Sequence, residues 1–301
     1  MHELLAWHPA FSVLAILAVG VVAAVVVGPS PWRRRAAALL TLAALPWPFL
    51  APAPVALRAA LAFMAAWNFM RVVEVGARGA ALPAWRRVAH VLMLFDTLAT
   101  VRAPRRVDVG TLVSALLWTG VAAGGLWAAL HLDPHASGYL PARWGLGALA
   151  FYAGFESMVG FTVATLRLLG LEPPVLHDRP ILSTSIREFW GLRWNRVVHG
   201  WLKAFCFEPV RSRLGTGAGV LATFAFSALH HAYLVWPAQG VEMALCMAAF
   251  FAVQPVLLLV ERGAGTRDWP VPLARVFTVA FIAASSPLIV EPVLRVLESA
   301  A

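Results

Sequence analysis

Apolar residues in this chain come in long blocks rather than in alternation. Such runs cover about 11–28, 36–50, 55–72, 109–131, 144–169, 214–236, 241–260 and 272–297. A helix needs about 20 apolar residues to cross a bilayer whose hydrocarbon core is about 30 Å thick. Eight runs near that length predict about eight transmembrane helices. The run at 36–50 is short and holds Pro46 and Pro48, so a broken or re-entrant helix is expected there. From Pro83 to Thr100, Arg86, Arg87, His90 and Asp96 interleave with apolar residues, the pattern of a helix lying in the interface. The predicted fold is an all-α, polytopic membrane bundle.

Composition agrees with the pattern. Of the 301 residues, 60% are hydrophobic and 13% charged, against about 45–50% apolar and about 25% charged in soluble domains. An ordinary soluble enzyme and a disordered chain are both excluded. The formal charge of +9 would suggest nucleic acid in a soluble protein. In a membrane protein it is accounted for by basic inner loops facing anionic lipid, and no nucleic-acid partner is expected. All but one of the 24 basic residues are Arg, Lys203 being the exception, a bias that hints at a GC-rich bacterial genome.

Charge placement sets the expected orientation. Only Glu3, His2 and His8 precede the first run as charged or titratable residues, and Arg33-Arg34-Arg35 follow it. A secretory leader has a basic start and a shorter apolar centre, so the run is expected to be an uncleaved helix with the N-terminus outside. With that orientation every basic residue except Arg58, Arg143 and Arg295 falls on the inner side, and a bacterial inner membrane is the expected location. No internal repeat or linker is visible, which predicts one domain over 1–301 with a motif-bearing core at about 170–260. Cys206 and Cys246 form no CxxC pair and are expected to be packing residues.

The inner segment at about 170–213 is too long for a simple connection. From His177 it reads HDRPILSTSIREFWGLRWNRVVHGWLKAFCFEPV. Ser185 and Glu188 have capping-box spacing. From Ile186 onward, Trp190, Trp194, Val197, Val198 and Trp201 fall near one helical face. The expected arrangement is a surface helix with its Trp residues among lipid head groups and Arg187, Arg193 and Arg196 reaching phosphates or water.

Polar residues inside apolar runs are the candidate chemistry, because an ionisable group at membrane depth is costly and usually faces a cavity or the bundle interior. His230 and His231 stand in ATFAFSALHHAYLVW, and adjacent helical residues point about 100° apart, so the two cannot serve one point equally. Either is a general base or a histidine hydrogen-bonded to a neighbouring helix. Glu156, in FYAGFESMVGF, is expected either to be a structural partner of an arginine such as Arg71, the favoured role, or to sit next to a tunnel. Gln254, before Pro255, is expected at a helix kink, satisfying freed backbone groups. No G-x-S-x-G elbow, Walker A string, dinucleotide fingerprint or zinc-spaced His/Cys set is present, so neither a metal nor a bound cofactor is expected.

The strings PILSTSIREFWGLRWN and, about 35 residues later, SALHHAY resemble the wax synthase branch of the membrane-bound O-acyltransferases. That branch has a Ser-rich turn, Phe-Trp-Gly, Arg-Trp-Asn and then an apolar helix ending in Ser-small-Leu-x-His. The resemblance covers about 175–236. It implies a buried tunnel and acyl transfer from acyl-CoA, a substrate rather than a cofactor, to a lipophilic alcohol such as a long-chain alcohol. His231 matches the family's histidine, since Ser227-Ala228-Leu229-His230-His231 places it fifth, and Asn195 matches the polar residue at the acyl-transfer site. His230 falls where an apolar residue is common, and Ala232 replaces an acidic residue. Trp190, Trp194, Glu156 and His230 are secondary candidates. Arg179, Arg187, Arg193, Arg196 and Ser185 are candidates for coenzyme A contacts, with lipid phosphate as the alternative role of the arginines.

Depth poses a difficulty. His231 lies about 16 residues into a span beginning near Gly215, or roughly 24 Å along it, so the 170–213 segment is expected to fold down into the membrane. Two other classes compete. A membrane terpene cyclase would use Glu156 or Asp96 as proton donor. A lipid transporter would line a continuous path with polar residues, but the inverted repeats many transporters show are absent.

Overall fold

A computed structural model describes residues 9–299. The expectations about the chain before Pro9, including its outside placement, fall beyond the described residues. The protein is nearly all helical and divides into two compact units. One comprises the described residues up to Leu98 together with Leu229–Leu245. The other comprises Ala99–Ala228 and Cys246–Glu298.

The first unit contains α1 (Pro9–Val26), α2 (Pro31–Leu42), the single turn α3 (Trp47–Leu50), α4 (Val55–Arg78) and α5 (Ala84–Leu92). Its core is built from small and β-branched residues, including Ala23, Ala24, Val27, Ala37, Val72, Val75 and Val91. Small side chains let helices approach closely. At Gly20 a Cβ would come within 2.7 Å of Asn68 Nδ2, which instead donates to the Ile16 carbonyl at 3.0 Å. The C-terminal carbonyls of α1, unsatisfied by the helix itself, accept from arginines: Arg87 reaches Ala24 (2.9 Å) and Val25 (3.0 Å), and Arg33 reaches Val26 (2.8 Å). Arg33 therefore helps finish a helix as well as marking a basic loop.

A buried charge network joins α4 to the chain after α5. Arg71, 2% exposed, pairs with Glu74 at 2.5 Å and donates to the carbonyls of His90 and Phe95. Arg78 bridges Glu74 and Asp96, and His90 Nε2 lies 3.1 Å from Glu74. Glu74, His90 and Asp96 offer ligand atoms within 4.8 Å of one another, a grouping their sequence spacing did not suggest. Two guanidinium groups already balance the two carboxylates, so an ion-pair network accounts for the cluster. The stretch 229–245 joins this unit through Tyr233 Oη, which donates to the Leu45 carbonyl at 2.8 Å, and through Phe49, edge-on to Trp236 at 5.5 Å.

The second unit is organised by α6 (Val109–His131) and α7 (Tyr139–Leu168). They meet through small residues: Gly125 lies against Ala150, and Gly160 against Ala115. Thr119 and Ser157 hydroxyls bond across the pair at 2.7 Å. Two-residue strands β1 (Val101–Arg102) and β2 (Leu171–Glu172) pair antiparallel, Val101 opposite Glu172. Arg167 secures this end through Asp108 and Glu172. At the other end, Arg143 of α7 is held by Glu291 (3.2 Å) and Glu298 (2.6 Å). Those carboxylates belong to α12 (Pro287–Glu298), which follows α11 (Val271–Ser285) after a 51° bend. An apolar groove of about 350 Å³ lies among α6, α7 and α12, lined by Ala123, Gly154, Ser157 and Leu294 among others.

Four helices among the described residues are long and apolar enough to cross a membrane, five if the bent α11–α12 pair is one span. The protein is an integral membrane protein, but the count falls short of the eight spans expected, and the cavity found is a groove rather than a buried tunnel. Three causes are visible. The run 36–50 divides between α2 and α3 around its prolines. The first run forms α1 but has only 17 apolar helical residues, from Ala10 to Val26. The expected spans 214–236 and 241–260 are joined in α10 (Glu208–Gly263), whose 56 residues would extend about 84 Å if straight. Gly215 (φ 85°) and Gly240 (φ 83°) interrupt its right-handed geometry near the boundaries read from hydropathy. The stretch expected to be an interfacial helix forms α5, which stops at Leu92.

Candidate functional site

The segment following β2 is not the continuous surface helix its periodicity suggested. Ser185 caps α8 (Ile186–Glu188), its Oγ accepting from the Glu188 N–H at 2.9 Å. The reciprocal half of the capping box is displaced by one residue, since Glu188 accepts from the N–H and Oγ1 of Thr184. A π-helical turn over Phe189–Arg193 follows, and the helix stops at Trp194. Asn195 has φ 37°, a left-handed conformation Asn tolerates better than most residues. It caps α9 (Arg196–Leu202) through Oδ1, which accepts from the Val198 N–H at 3.3 Å. The break at Asn195 turns the aromatic residues inward instead of leaving them along a lipid-facing stripe.

Trp194 lies among Phe155 (5.0 Å), Phe189 (5.4 Å) and Phe151 (6.1 Å). Trp190 packs on Phe250 and Phe251 and donates its indole N–H to Gln254 at 3.0 Å. Gln254 is fully buried and also donates to the Phe250 carbonyl, so the expected backbone contact is present with an added side-chain partner. The Ile186 N–H is taken by Glu261 at 2.7 Å.

The segment 176–178 is pinned to 193–196. The Asp178 N–H donates to the Arg193 carbonyl and the Arg196 N–H to the Leu176 carbonyl, both at 2.9 Å. Between them the Asn195 N–H reaches His177 Nδ1 at 3.4 Å. The His177 side chain is fully buried, with Nε2 3.5 Å from Glu156 Oε1. Tyr152, one helical turn before Glu156, donates its hydroxyl to that oxygen at 2.6 Å. Burial pushes the His177 imidazole down to about 4, against the opposing pull of Asp178. Each residue finds a partner within its own unit: Arg71 is engaged with Glu74, and Glu156, for which an arginine such as Arg71 was expected, with Tyr152 and His177.

The remaining predicted residues divide by role. Arg193 is committed within the protein, to Glu188 at 2.7 Å and to the Asp178 carbonyl. Burial disfavours ionised Glu188, but hydrogen bonds from Thr184 and Arg193 outweigh it and hold the carboxyl below its usual range. Arg179, Arg187 and Arg196 are exposed. Ser185 serves as a helix cap. His230 and His231 belong to the first unit, their rings edge-on at 5.1 Å, whereas Asn195, Glu156, Trp190 and Trp194 belong to the second. Reading the residues alone missed His177 and Tyr152. The i, i+4 spacing of Tyr152 and Glu156 was a usable signal; nothing in the spacing pointed from His177 to Glu156.

Residues 173–253, which hold this entire break-and-cap arrangement, match the membrane bound O-acyl transferase family. This stretch is similar to membrane-bound O-acyltransferases. The chain is 33% identical to probable long-chain-alcohol O-fatty-acyltransferase 7 of Arabidopsis thaliana, over 36% of each protein. It is 28% identical to long-chain-alcohol O-fatty-acyltransferase of Simmondsia chinensis, over 37% of this chain and 34% of that protein. It is 29% identical to acyl-CoA–sterol O-acyltransferase 1 of Arabidopsis thaliana, over 46% of this chain and 44% of that protein. The chain thus matches less than half the length of these relatives.

Proposed function

We propose that this protein is a membrane O-acyltransferase that moves a fatty acyl group from acyl-CoA to the hydroxyl of a lipophilic alcohol, with a long-chain alcohol as first candidate. The observation that carries the reading is the family match over 173–253, which includes the Asn195 turn. The relatives' names, with long-chain-alcohol and sterol acceptors among them, support the reaction class.

In this reading His231 is the general base. It takes the proton of the acceptor hydroxyl as the oxygen attacks the thioester carbonyl. The tetrahedral intermediate carries an oxyanion, to which Asn195 donates from its carboxamide nitrogen. Oδ1 is held by the Val198 N–H, which fixes the carboxamide and leaves both Nδ2 donors outside the cap. Collapse breaks the carbon–sulfur bond, and the imidazolium returns its proton to the departing thiolate. The exposed Arg179, Arg187 and Arg196 supply positive charge for the phosphates of coenzyme A. In this reading the face lies on the cytoplasmic side of a bacterial inner membrane with the N-terminal end of α1 outside, and the bias of basic residues toward the loops of one side supports it.

The test uses membranes containing the protein, labelled palmitoyl-CoA, and a panel of long-chain, sterol and terpenoid alcohols. Ester formation that is lost in His231→Ala and kept in His230→Ala supports the assignment and names the acceptor. Folded protein that forms neither ester nor free thiol with any alcohol overturns it.

A further inference from the structure

The ion pairs that fasten α12 to α7 also line an open cleft. Arg143, Glu291, Arg295 and Glu298 surround it with Tyr139, in a volume of about 380 Å³ at the end where α7 begins. The apolar groove among α6, α7 and α12 adjoins this cleft. On α7 the groove begins at Gly147, one helical turn after Arg143. On α12 its lining residues Val290, Val293, Leu294 and Leu297 alternate with the three charged residues of the cleft.

The groove has the depth of one lipid leaflet. Along α7 it runs from Gly147 to Ser157, about 15 Å at 1.5 Å per residue, or half of a hydrocarbon core about 30 Å thick. Its volume of about 350 Å³ lies near the lower end of ligand pockets, about 300–1,000 Å³, and suits a single chain. The hydroxyls of Thr119 and Ser157 bond to each other, and Thr119 also reaches the Ala115 carbonyl. The wall therefore asks nothing polar of an occupant. At Gly154 a Cβ would meet only the Cβ of Ala122, at 3.9 Å, so helix packing leaves this space open.

The charges of the cleft specify the head group. Glu291 is fully used, accepting from Arg143, Trp144 and Arg295. Arg143 is buried and divided between Glu291 and Glu298. Among the described residues, Arg295 spends only Nε, on Glu291, and its side chain is 54% exposed. Glu298 likewise spends only Oε1, on Arg143, and its side chain is 42% exposed. Residues three apart on a helix are surface neighbours, so a spare guanidinium edge stands beside a spare carboxylate oxygen. A phosphate linked to a primary ammonium matches both, the phosphate accepting from the guanidinium and the ammonium donating to the carboxylate. An anionic head group without an amine leaves Glu298 uncompensated, and a trimethylammonium has no N–H to give.

We propose that cleft and groove form one binding site for a phospholipid with a primary-amine head group, of the phosphatidylethanolamine type. Its phosphate lies on Arg295, its ammonium on Glu298, and one acyl chain fills the groove past Gly154. The site needs no acyl transfer and stands whether or not the chain esterifies alcohols.

The test titrates the purified full chain in dodecyl maltoside with dioleoyl phosphatidylethanolamine, phosphatidylcholine or phosphatidylglycerol. Retained lipid is counted by native mass spectrometry, and thermal midpoints are taken beside it. One phosphatidylethanolamine per chain is expected, bound about tenfold more tightly than the other two, the worth of one charge-assisted hydrogen bond. It raises the thermal midpoint by mass action. Arg295→Gln, at an exposed position, is expected to weaken that binding by about tenfold. Gly154→Leu fills the groove and is expected to abolish retention without lowering the lipid-free midpoint, since Leu is the better helix former. Equal retention of the three lipids, or retention unchanged in Gly154→Leu, overturns the site and leaves ordinary boundary lipid on this face. A preference for phosphatidylglycerol, or affinity unchanged in Arg295→Gln, overturns the head-group assignment.

Discussion

The indole N–H of Trp190 donates to Oε1 of Gln254 across 3.0 Å, tying the Phe-Trp-Gly turn to the later part of α10. Neither residue can be removed without leaving the other's polar group in an apolar site among Phe250 and Phe251. Gln254→Leu strands the indole donor and is expected to cost about 1–3 kcal/mol. Trp190→Phe strands the amide oxygen at similar cost. Measured as thermal midpoints in detergent, the double variant is expected to lose less than the sum, with a coupling of about 1 kcal/mol. Strict additivity would mean the bond contributes nothing to holding the turn.

Asn195 has two functions that substitution can separate. Asp keeps the side-chain cap and tolerates the left-handed backbone, but it has no amide donors. Asn195→Asp is therefore expected to keep its thermal midpoint while kcat falls by about 10²–10³, the usual effect of losing one oxyanion donor. Asn195→Ala loses the cap as well and puts a Cβ residue at φ 37° without compensation, so both readouts fall. A fully active Asn195→Asp enzyme would remove the carboxamide from the mechanism and leave it a helix cap.

Periodicity and hydropathy made the membrane character, the broken 36–50 run and the helix at α5 readable, because each depends on residue type over a local window. The Ser185 cap was legible for the same reason. Trp190, Trp194 and Trp201 were misread as one exposed stripe, since their spacing is helical but a single left-handed residue at Asn195 ends the helix between them. Side-chain periodicity carries no information about such a break. Span counting failed at α10 for a related reason: hydropathy dips at Gly240, yet helical hydrogen bonding continues through it. The Glu156 partner was unreadable because His177 meets it through the fold, across 21 positions that include the β2 turn.

The Arg71–Glu74 pair is buried, with both side chains at most 6% exposed, and it belongs to a network that also includes Arg78, His90 and Asp96. Breaking a buried pair by removing one partner leaves an uncompensated charge. Arg71→Ala is expected to destabilise the protein by about 3–5 kcal/mol, with reduced yield in membranes. Replacing Arg71 by Met and Glu74 by Leu together is expected to cost less than either alone, since neither charge is then stranded. If a chelator lowered the wild-type thermal midpoint and left Arg71→Ala unchanged, a bound cation would have to replace the ion-pair account.

Stability in acid gives an independent check on His177. Its folded value lies near 4 while an unfolded histidine titrates near 6.5, because burial disfavours the charged ring. Between these values the unfolded chain binds a proton that the folded chain refuses, so stability rises with pH in this window and is lost as pH falls through it. Glu156 lies 3.5 Å from the ring, and the attraction of Asp178 works against the shift without cancelling it. Restricting the titration to pH 6.5–5 keeps Glu188, which titrates lower, out of the comparison. Thermal midpoints of the wild type are expected to fall across that interval and those of His177→Asn to fall less, since the variant has no ring to protonate. Parallel slopes would show that the ring takes up its proton in the folded state. A cationic ring has no lone pair left to accept the Asn195 N–H, so the bond that pins Asn195 to His177 would have to be redrawn around a charged histidine.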